Sequence, residues 1–197
     1  MRIATLTCAA LACASLGLLL GCGGKTTENA PTVTGFSPAF GPVSTVITVT
    51  GSGYAIGVNG VTLGGVAVAS NAGAVVSDTS LTFQVPSAAI TGSIAVTTPG
   101  GTVSSATQFI VTPVINTLAP ATGSAAAGTP VTINGSGLLG ITQITFGSVT
   151  ATPTVHTANQ IVVPVPATAP VGALTITFQV NPSYAQANLL SSFTVTK

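Results

Sequence analysis

Apolar and polar side chains alternate along the chain after residue 30. Val131 and Ile133 alternate with Thr132 and Asn134, and the segment from Leu174 to Phe178 repeats the pattern. Glycine, proline or asparagine interrupts such segments about every 8–12 residues. A period of two directs successive side chains to opposite faces of a strand. The pattern therefore predicts an all-β fold of short strands packed as a sandwich.

The same pattern occurs twice. The segment VITVTGSG, which begins at Val46, matches PVTINGSG, which begins at Pro130, and the offset between matched positions stays between 80 and 84 along the chain. A repeat of this length indicates two homologous units. We assign domain 1 to residues 31–112 and domain 2 to residues 113–197.

The junction between the two units is short. Strand residues of the first unit run to Val111 and the second unit begins at Pro113, which leaves Thr112 as the only spacer. Proline restricts the backbone at this point. We therefore expect a stiff two-domain rod.

Longer motifs of the second unit carry a family resemblance. GTPVTINGSGLLGITQITFGSVTA, which begins at Gly128, and the later IVVPVPATAPVGALTI resemble the IPT/TIG family. In the first unit STVITVTGSGY departs from the family's usual opening, while VTLGGVAV and VPSAAITGSIAV keep its pattern. The resemblance implies two tandem immunoglobulin-like sandwiches of the early-set type. Because the family includes surface receptors, adhesins, accessory modules of starch-acting enzymes and Rel-type transcription factors, it specifies fold better than function.

The N-terminus has the layout of an export signal. Residues Ile3–Leu20 carry no charge, contain many small side chains and are followed by Gly21 and Cys22, as in a secretory signal peptide. Leu19-Leu20-Gly21-Cys22 resembles the bacterial lipobox. The resemblance implies a diacylglyceryl group on Cys22, cleavage between Gly21 and Cys22, and acylation of the new N-terminus. An ordinary signal peptide with a chance cysteine, or an uncleaved anchor, is the alternative.

Cleavage at this site would make residues 1–21 the signal peptide and leave Cys22 as the mature chain's only cysteine, since Cys8 and Cys13 would be removed. Residues 22–30 are polar and rich in small side chains, which predicts a flexible tether. By analogy with lipoprotein sorting in Gram-negative bacteria, Gly23 after the lipidated cysteine indicates the outer membrane. Which face of the membrane the protein occupies stays open.

Charge is nearly absent beyond the tether. Residues 31–197 contain two charged side chains, Asp78 and Lys197, and one histidine, His156. Attraction to nucleic acid needs clustered basic residues, so we expect no nucleic-acid partner and disfavour the Rel-type role. A net charge near zero favours self-association.

Acid–base catalysis would depend on Asp78 and His156. In the repeat Asp78 falls opposite Ala158 and His156 opposite Val76, so both are predicted as exposed loop residues in different domains. We predict a protein without enzymatic activity. Calcium and zinc are also not expected, because one aspartate and one histidine are too few ligands, and no cofactor is predicted. GSGLLG, which begins at Gly135, fits a dinucleotide motif but precedes a strand and is read as a turn.

Neutral glycans remain possible ligands, since aromatic faces and hydroxyl or amide groups bind them without charge. Five phenylalanines align with apolar partners in the other repeat and are predicted to lie in the core: Phe36, Phe83, Phe109, Phe146 and Phe193. Phe40, opposite Thr122, and Tyr184, in a predicted hairpin turn, lack such partners. They are the candidate glycan contacts.

The sequence thus predicts a lipid-anchored, non-enzymatic protein of the cell envelope or cell surface, with a structural or adhesive role. Membrane attachment would come from the lipidated cysteine, and partner contacts from hydroxyl-rich sheet faces, loops and strand edges. A neutral-glycan-binding module and a subunit of a surface assembly or filament are the alternatives. The binding partner and the oligomeric state stay open.

Overall fold

The computed structural model describes residues 29–69, 73–180 and 189–197. Nine strands form the first half of the described chain: β1 Thr32–Ser37, β2 Phe40–Gly41, β3 Val46–Ser52, β4 Gly60–Leu63, β5 Val66–Ala67, β6 Gly73–Ser77, β7 Ser80–Gln84, β8 Gly92–Thr98 and β9 Gly101–Val111. They make two sheets, of order β1-β3-β7-β6 and β2-β9-β8-β4-β5. All neighbours are antiparallel except β2 and β9, which run parallel. We call this unit the first sandwich.

The second half repeats the arrangement. Its strands are β10 Val114–Ala119, β11 Thr122–Ser124, β12 Pro130–Ser136, β13 Ile141–Phe146, β14 Val149–Ala151, β15 Val155–His156, β16 Gln160–Pro164, β17 Gly172–Val180 and β18 Leu189–Thr196. The sheets have the orders β10-β12-β16-β15 and β11-β18-β17-β13-β14. A short 3-10 helix, Leu138–Gly140, precedes β13. This unit is the second sandwich, and the predicted pair of all-β, immunoglobulin-like folds is confirmed.

Each sandwich has its own core between its two sheets. The first core includes Ile47 and Leu81 of one sheet and Ile94 of the other, all at most 2% exposed. The predicted core phenylalanines follow the same division: Phe83 and Phe109 are buried in the first core, Phe146 and Phe193 in the second, and Phe36 packs partly buried against the first. The alternation of the strands therefore produces two separate apolar interiors.

The Gly-Ser-Gly motif at the end of β3 and of β12 has a structural role in each half. A side chain at Gly51 would collide with the carbonyl oxygen of Thr32, and one at Gly135 with that of Val114. The second glycine of each motif has a left-handed backbone, with φ of 81° at Gly53 and 65° at Gly137, a conformation that favours glycine. In GSGLLG the first two residues end β12, and the predicted turn is limited to Gly137 and the short 3-10 helix Leu138–Gly140 that leads into β13.

Candidate functional site

Three sequence-predicted positions, Gly21, Cys22 and Tyr184, lie outside the described residues. The lipid anchor and the contact at Tyr184 therefore stay predictions. Within the described ranges no helix is long and apolar enough to cross a membrane.

Asp78 holds the loop that follows β3. One carboxylate oxygen accepts the backbone N–H of Ala55 (2.9 Å), and the Asp78 carbonyl accepts that of Tyr54 (3.2 Å). In the second sandwich the carbonyl of Ala158 accepts the N–H of Leu138 at 3.0 Å. Asp78 and Ala158 are thus structural counterparts. The exposed carboxylate of Asp78 is committed to a backbone contact.

His156 lies in a strand, so its predicted loop position is wrong. It belongs to the two-residue edge strand β15 and pairs with Ile161 of β16, next to the pair formed by Val155 and Val162. Its Nε2 lies 2.8 Å from the carbonyl oxygen of Leu138; since a carbonyl only accepts, this nitrogen carries the proton. Asp78 and His156 belong to different sandwiches, and no cluster of three or more metal-ligating side chains occurs among the described residues.

Phe40 lies on an outer sheet face and is 45% exposed. It pairs with Ile110 of β9, which is only 6% exposed although it points away from the core that Phe109 and Val111 enter. The corresponding pair of the second sandwich is Thr122 and Thr194, both exposed. The first sandwich therefore carries an apolar pair where the second sandwich carries two hydroxyl side chains. Ile110 of this pair lies two residues before Thr112, the residue that connects the sandwiches.

The junction itself is held from both sides. Thr112 donates its N–H to the carbonyl oxygen of Gly41 (3.0 Å), and Val111 donates to the side-chain oxygen of Thr91 (3.1 Å). On the other side, a methyl group at Gly137 would lie 3.2 Å from Val111 Cγ1 and 3.3 Å from the Thr112 carbonyl oxygen. The turn of the second sandwich thus packs directly on the connecting residues.

A cleft of about 460 Å³ opens at one end of the first sandwich. Its lining includes Val43, Ser44, Val66, Gln84, Pro86 and Ser87. Ser44 has a left-handed backbone (φ 69°), and it is the only non-glycine residue with a positive φ in the part of the chain that the structure describes. None of these side chains is among the predicted contacts. Comparison of the two repeats could have identified this cleft from the sequence, because Gly128 occupies the position of Ser44 in the second repeat.

Comparison with known proteins gives the fold a family. The IPT/TIG domain model matches residues 31–111 and again residues 113–195. Among curated proteins, none matches the chain.

The chain also matches parts of several solved structures. A surface glycan-binding protein of Prevotella bryantii, PbSGBP-B, is 18% identical with a TM-score of 0.53; the alignment covers 82% of this chain and 41% of that protein. The SGBP-B of a xyloglucan utilization locus in Bacteroides uniformis is 18% identical (84% and 49% covered, TM-score 0.37). The plexin A4 extracellular region is 19% identical (89% and 19% covered, TM-score 0.42). The chain spans less than half of each of these proteins. With both of its halves matched by the same model, this chain belongs to the IPT/TIG family.

Proposed function

We propose that this protein is a lipid-anchored, non-enzymatic module of the bacterial cell envelope, with a structural or adhesive role. Its lipid would be attached at Cys22 after removal of residues 1–21, and residues 22–30 would tether the folded part. Domain 1 would comprise residues 31–112 and domain 2 residues 113–197. Gly23 favours the outer membrane, by analogy with lipoprotein sorting.

The observation that carries this proposal is the junction. A single residue, Thr112, connects two sandwiches, its N–H bonds to Gly41, and its carbonyl lies against Gly137. Such a connection favours a fixed spacing between the far end of the second sandwich and the membrane tether, which suits a protein that displays or links a partner. The surface beyond the tether, with only Asp78 and Lys197 charged, favours contacts made by hydroxyl groups, strand edges and shape.

Membrane attachment is tested by detergent phase partition of the protein expressed in a bacterial host that processes lipoproteins. The wild type should enter the detergent phase, because two or more acyl chains give stable anchoring. The Cys22→Ser variant cannot be lipidated or cleaved there and should remain a full-length precursor. A wild type that is cleaved elsewhere and stays in the aqueous phase would refute the anchor.

Protease treatment of intact cells then separates the two roles. Digestion of the sandwiches in intact cells would place them outside and support an adhesive module. Protection in intact cells, followed by digestion after the outer membrane is opened, would support a periplasmic structural module.

Neutral-glycan binding is a second candidate, favoured by the exposure of Phe40. An aromatic ring that is 45% exposed on a sheet face can stack on the C–H face of a sugar, and Thr122 at the corresponding position of the second sandwich cannot. The Prevotella protein of similar fold is named a surface glycan-binding protein.

This candidate predicts that the wild type is retained on a column of immobilised neutral polysaccharide. Phe40→Ala or Tyr184→Ala should abolish retention, and Thr122→Ala is the matched control that should retain it. Unchanged retention of both aromatic variants would remove these residues as glycan contacts.

A further inference from the structure

Ser44 adopts a backbone conformation that its counterpart reserves for glycine. The residues after Ser44 and Gly128 are Thr45 and Thr129, and their carbonyl oxygens accept equivalent N–H groups, so Ser44 and Gly128 occupy the same place in the two sandwiches. Both have a left-handed backbone, with φ of 69° and 59°. A side chain is disfavoured there, and residues held in such conformations concentrate at ligand sites. Glycine occupies this position in the second sandwich, so the serine of the first sandwich adds a hydroxyl to the cleft at the cost of a strained backbone.

The other polar side chains of the cleft, like that of Ser44, have no polar counterpart in the second sandwich. Gln84 pairs with Val46, as Pro164 pairs with Pro130 in the second sandwich. Ser87 follows Pro86, whose carbonyl accepts the N–H of Ala89, and Ala167 follows the corresponding Pro166. Every position at which the first cleft offers a polar side chain is therefore glycine, proline or alanine in the second sandwich. The hydrogen-bonding character of the cleft belongs to the first sandwich alone.

These side chains are available to a ligand. The structure gives the side chains of Ser44, Gln84 and Ser87 no hydrogen bond to any described residue, and all three are exposed. The backbone of Ser44 is fixed, because its N–H donates to the carbonyl oxygen of Val85 at 2.9 Å. The cleft thus offers two hydroxyls and one amide, and the backbone that carries the first hydroxyl is hydrogen-bonded to the adjoining strand end.

The chemistry of the lining selects an uncharged ligand with hydroxyl groups. The cleft contains no charged side chain, and Val43 and Val66 supply apolar wall beside the polar groups. A volume of about 460 Å³ lies within the range of small-molecule sites, roughly 300–1,000 Å³. We propose that the Ser44 cleft of the first sandwich binds a neutral saccharide unit; the choice of ligand rests on the glycan-binding candidate above. The Ser44 and Ser87 hydroxyls and the Gln84 amide bond the sugar hydroxyls, while the valines contact its C–H groups.

The test uses the mature protein, extracted with detergent, on columns of immobilised dextran, xyloglucan and mixed-linkage glucan. Wild type should be retained on at least one of them and eluted by the free oligosaccharide. Ser44→Ala removes the hydroxyl and keeps the strained backbone, so affinity should fall about 3–10-fold, the effect of one hydrogen bond, without a rise in melting temperature. Ser44→Gly should lose the same affinity and raise the melting temperature of the first sandwich by about 4–8 °C, the shift for roughly 1 kcal/mol of relieved backbone strain in a domain of this size.

Two further variants complete the design. Gly128→Ser is the matched control. No atom lies within 4 Å of the added carbon, so the side chain causes no collision, but the left-handed backbone (φ 59°) disfavours it. The variant should therefore lower the melting temperature of the second sandwich and leave retention unchanged. Gln84→Ala should lower affinity with an unchanged melting temperature. If the Ser44 and Gln84 variants are retained like wild type while Phe40→Ala is not, the cleft proposal fails and the glycan candidate stands. If wild type is retained on none of the columns, both fail.

Discussion

Tyr54 donates its phenolic hydroxyl to the carbonyl oxygen of Thr32 at 2.8 Å, and its side chain is fully buried. The bond ties the turn after β3 to the first residue of β1. Leu138 occupies the corresponding place in the second sandwich, because its backbone N–H donates to the carbonyl oxygen of Ala158 as that of Tyr54 donates to the carbonyl oxygen of Asp78. The apolar Leu138 side chain has no group to replace the Tyr54 hydroxyl. The two sandwiches therefore close the same corner by different means, one polar and titratable and the other apolar.

This difference predicts an alkaline instability confined to the first sandwich. Burial raises the pKa of Tyr54 above its ordinary value, which is about 10. The stability linked to the neutral phenol is fully present below the unfolded-state pKa and is lost as the pH rises towards the folded-state pKa, because the unfolded chain releases its proton first. Thermal unfolding followed above pH 10 should show the first sandwich melting earlier while the second changes less.

The control for this prediction is Tyr54→Phe. The variant lacks the hydrogen bond, so it should be less stable at pH 7 by about 1–2 kcal/mol, and it should lose the extra alkaline sensitivity. The protein has two tyrosines, so absorbance of the phenolate in the variant reports Tyr184 alone. An unchanged alkaline transition in Tyr54→Phe would contradict the assignment.

The close approach of β10 to Gly135 predicts a large effect of a small substitution. In Gly135→Ala the added methyl group meets the carbonyl oxygen of Val114, so the edge strand must shift and the second sandwich should lose about 1–3 kcal/mol. Gly60→Ala is the matched control, because nothing lies within 4 Å of its added carbon. Denaturant unfolding measures both; equal stabilities would show that the strand is free to move away.

Thr98 is a position at which a substitution should stabilise the protein. It is 3% exposed, and its hydroxyl has no hydrogen-bond partner within the described part of the chain. Replacing an unpaired buried hydroxyl by a methyl group of the same shape removes a desolvation cost, so Thr98→Val should stabilise the first sandwich by roughly 1 kcal/mol. The neighbouring Thr97→Val deletes an exposed bond to Thr102 and should bring no gain. Thermal unfolding of the two variants measures the difference in stability. A destabilised Thr98→Val variant would mean that the Thr98 hydroxyl has a hydrogen-bond partner.

The junction predicts a narrow distribution of distances between the sandwiches. Spin labels at Ala55→Cys and Ala126→Cys, both exposed positions, can be introduced in residues 23–197 expressed without the leader, which removes Cys8, Cys13 and Cys22. The distance between the labels is measured by pulsed electron paramagnetic resonance. Inserting Gly-Ser-Gly-Ser after Thr112 should broaden the distribution, since the added residues separate Val111 from Gly137. A parent distribution as broad as that of the insertion variant would contradict a stiff rod.

Sequence patterns were sufficient for the fold and for part of the site. Alternation and the repeat predicted the strands, the two cores and the exposure of Phe40, because each depends on local pattern or on comparison of the halves. The edge strand at His156 was missed because two residues carry too little pattern to distinguish a strand from a loop. The burial of Tyr54 and the left-handed backbone of Ser44 depend on contacts with distant strands, at Thr32 and Val85, which no local pattern contains.

The most direct test of the central claim, a lipid-anchored pair of IPT/TIG sandwiches, is the intact mass of the protein purified from bacterial membranes. The account predicts the mass of residues 22–197 increased by a diacylglyceryl group and an amide-linked acyl chain, with the added mass on the peptide that begins at Cys22. A free thiol at Cys22, with the leader still attached or cleaved at another bond, would contradict it.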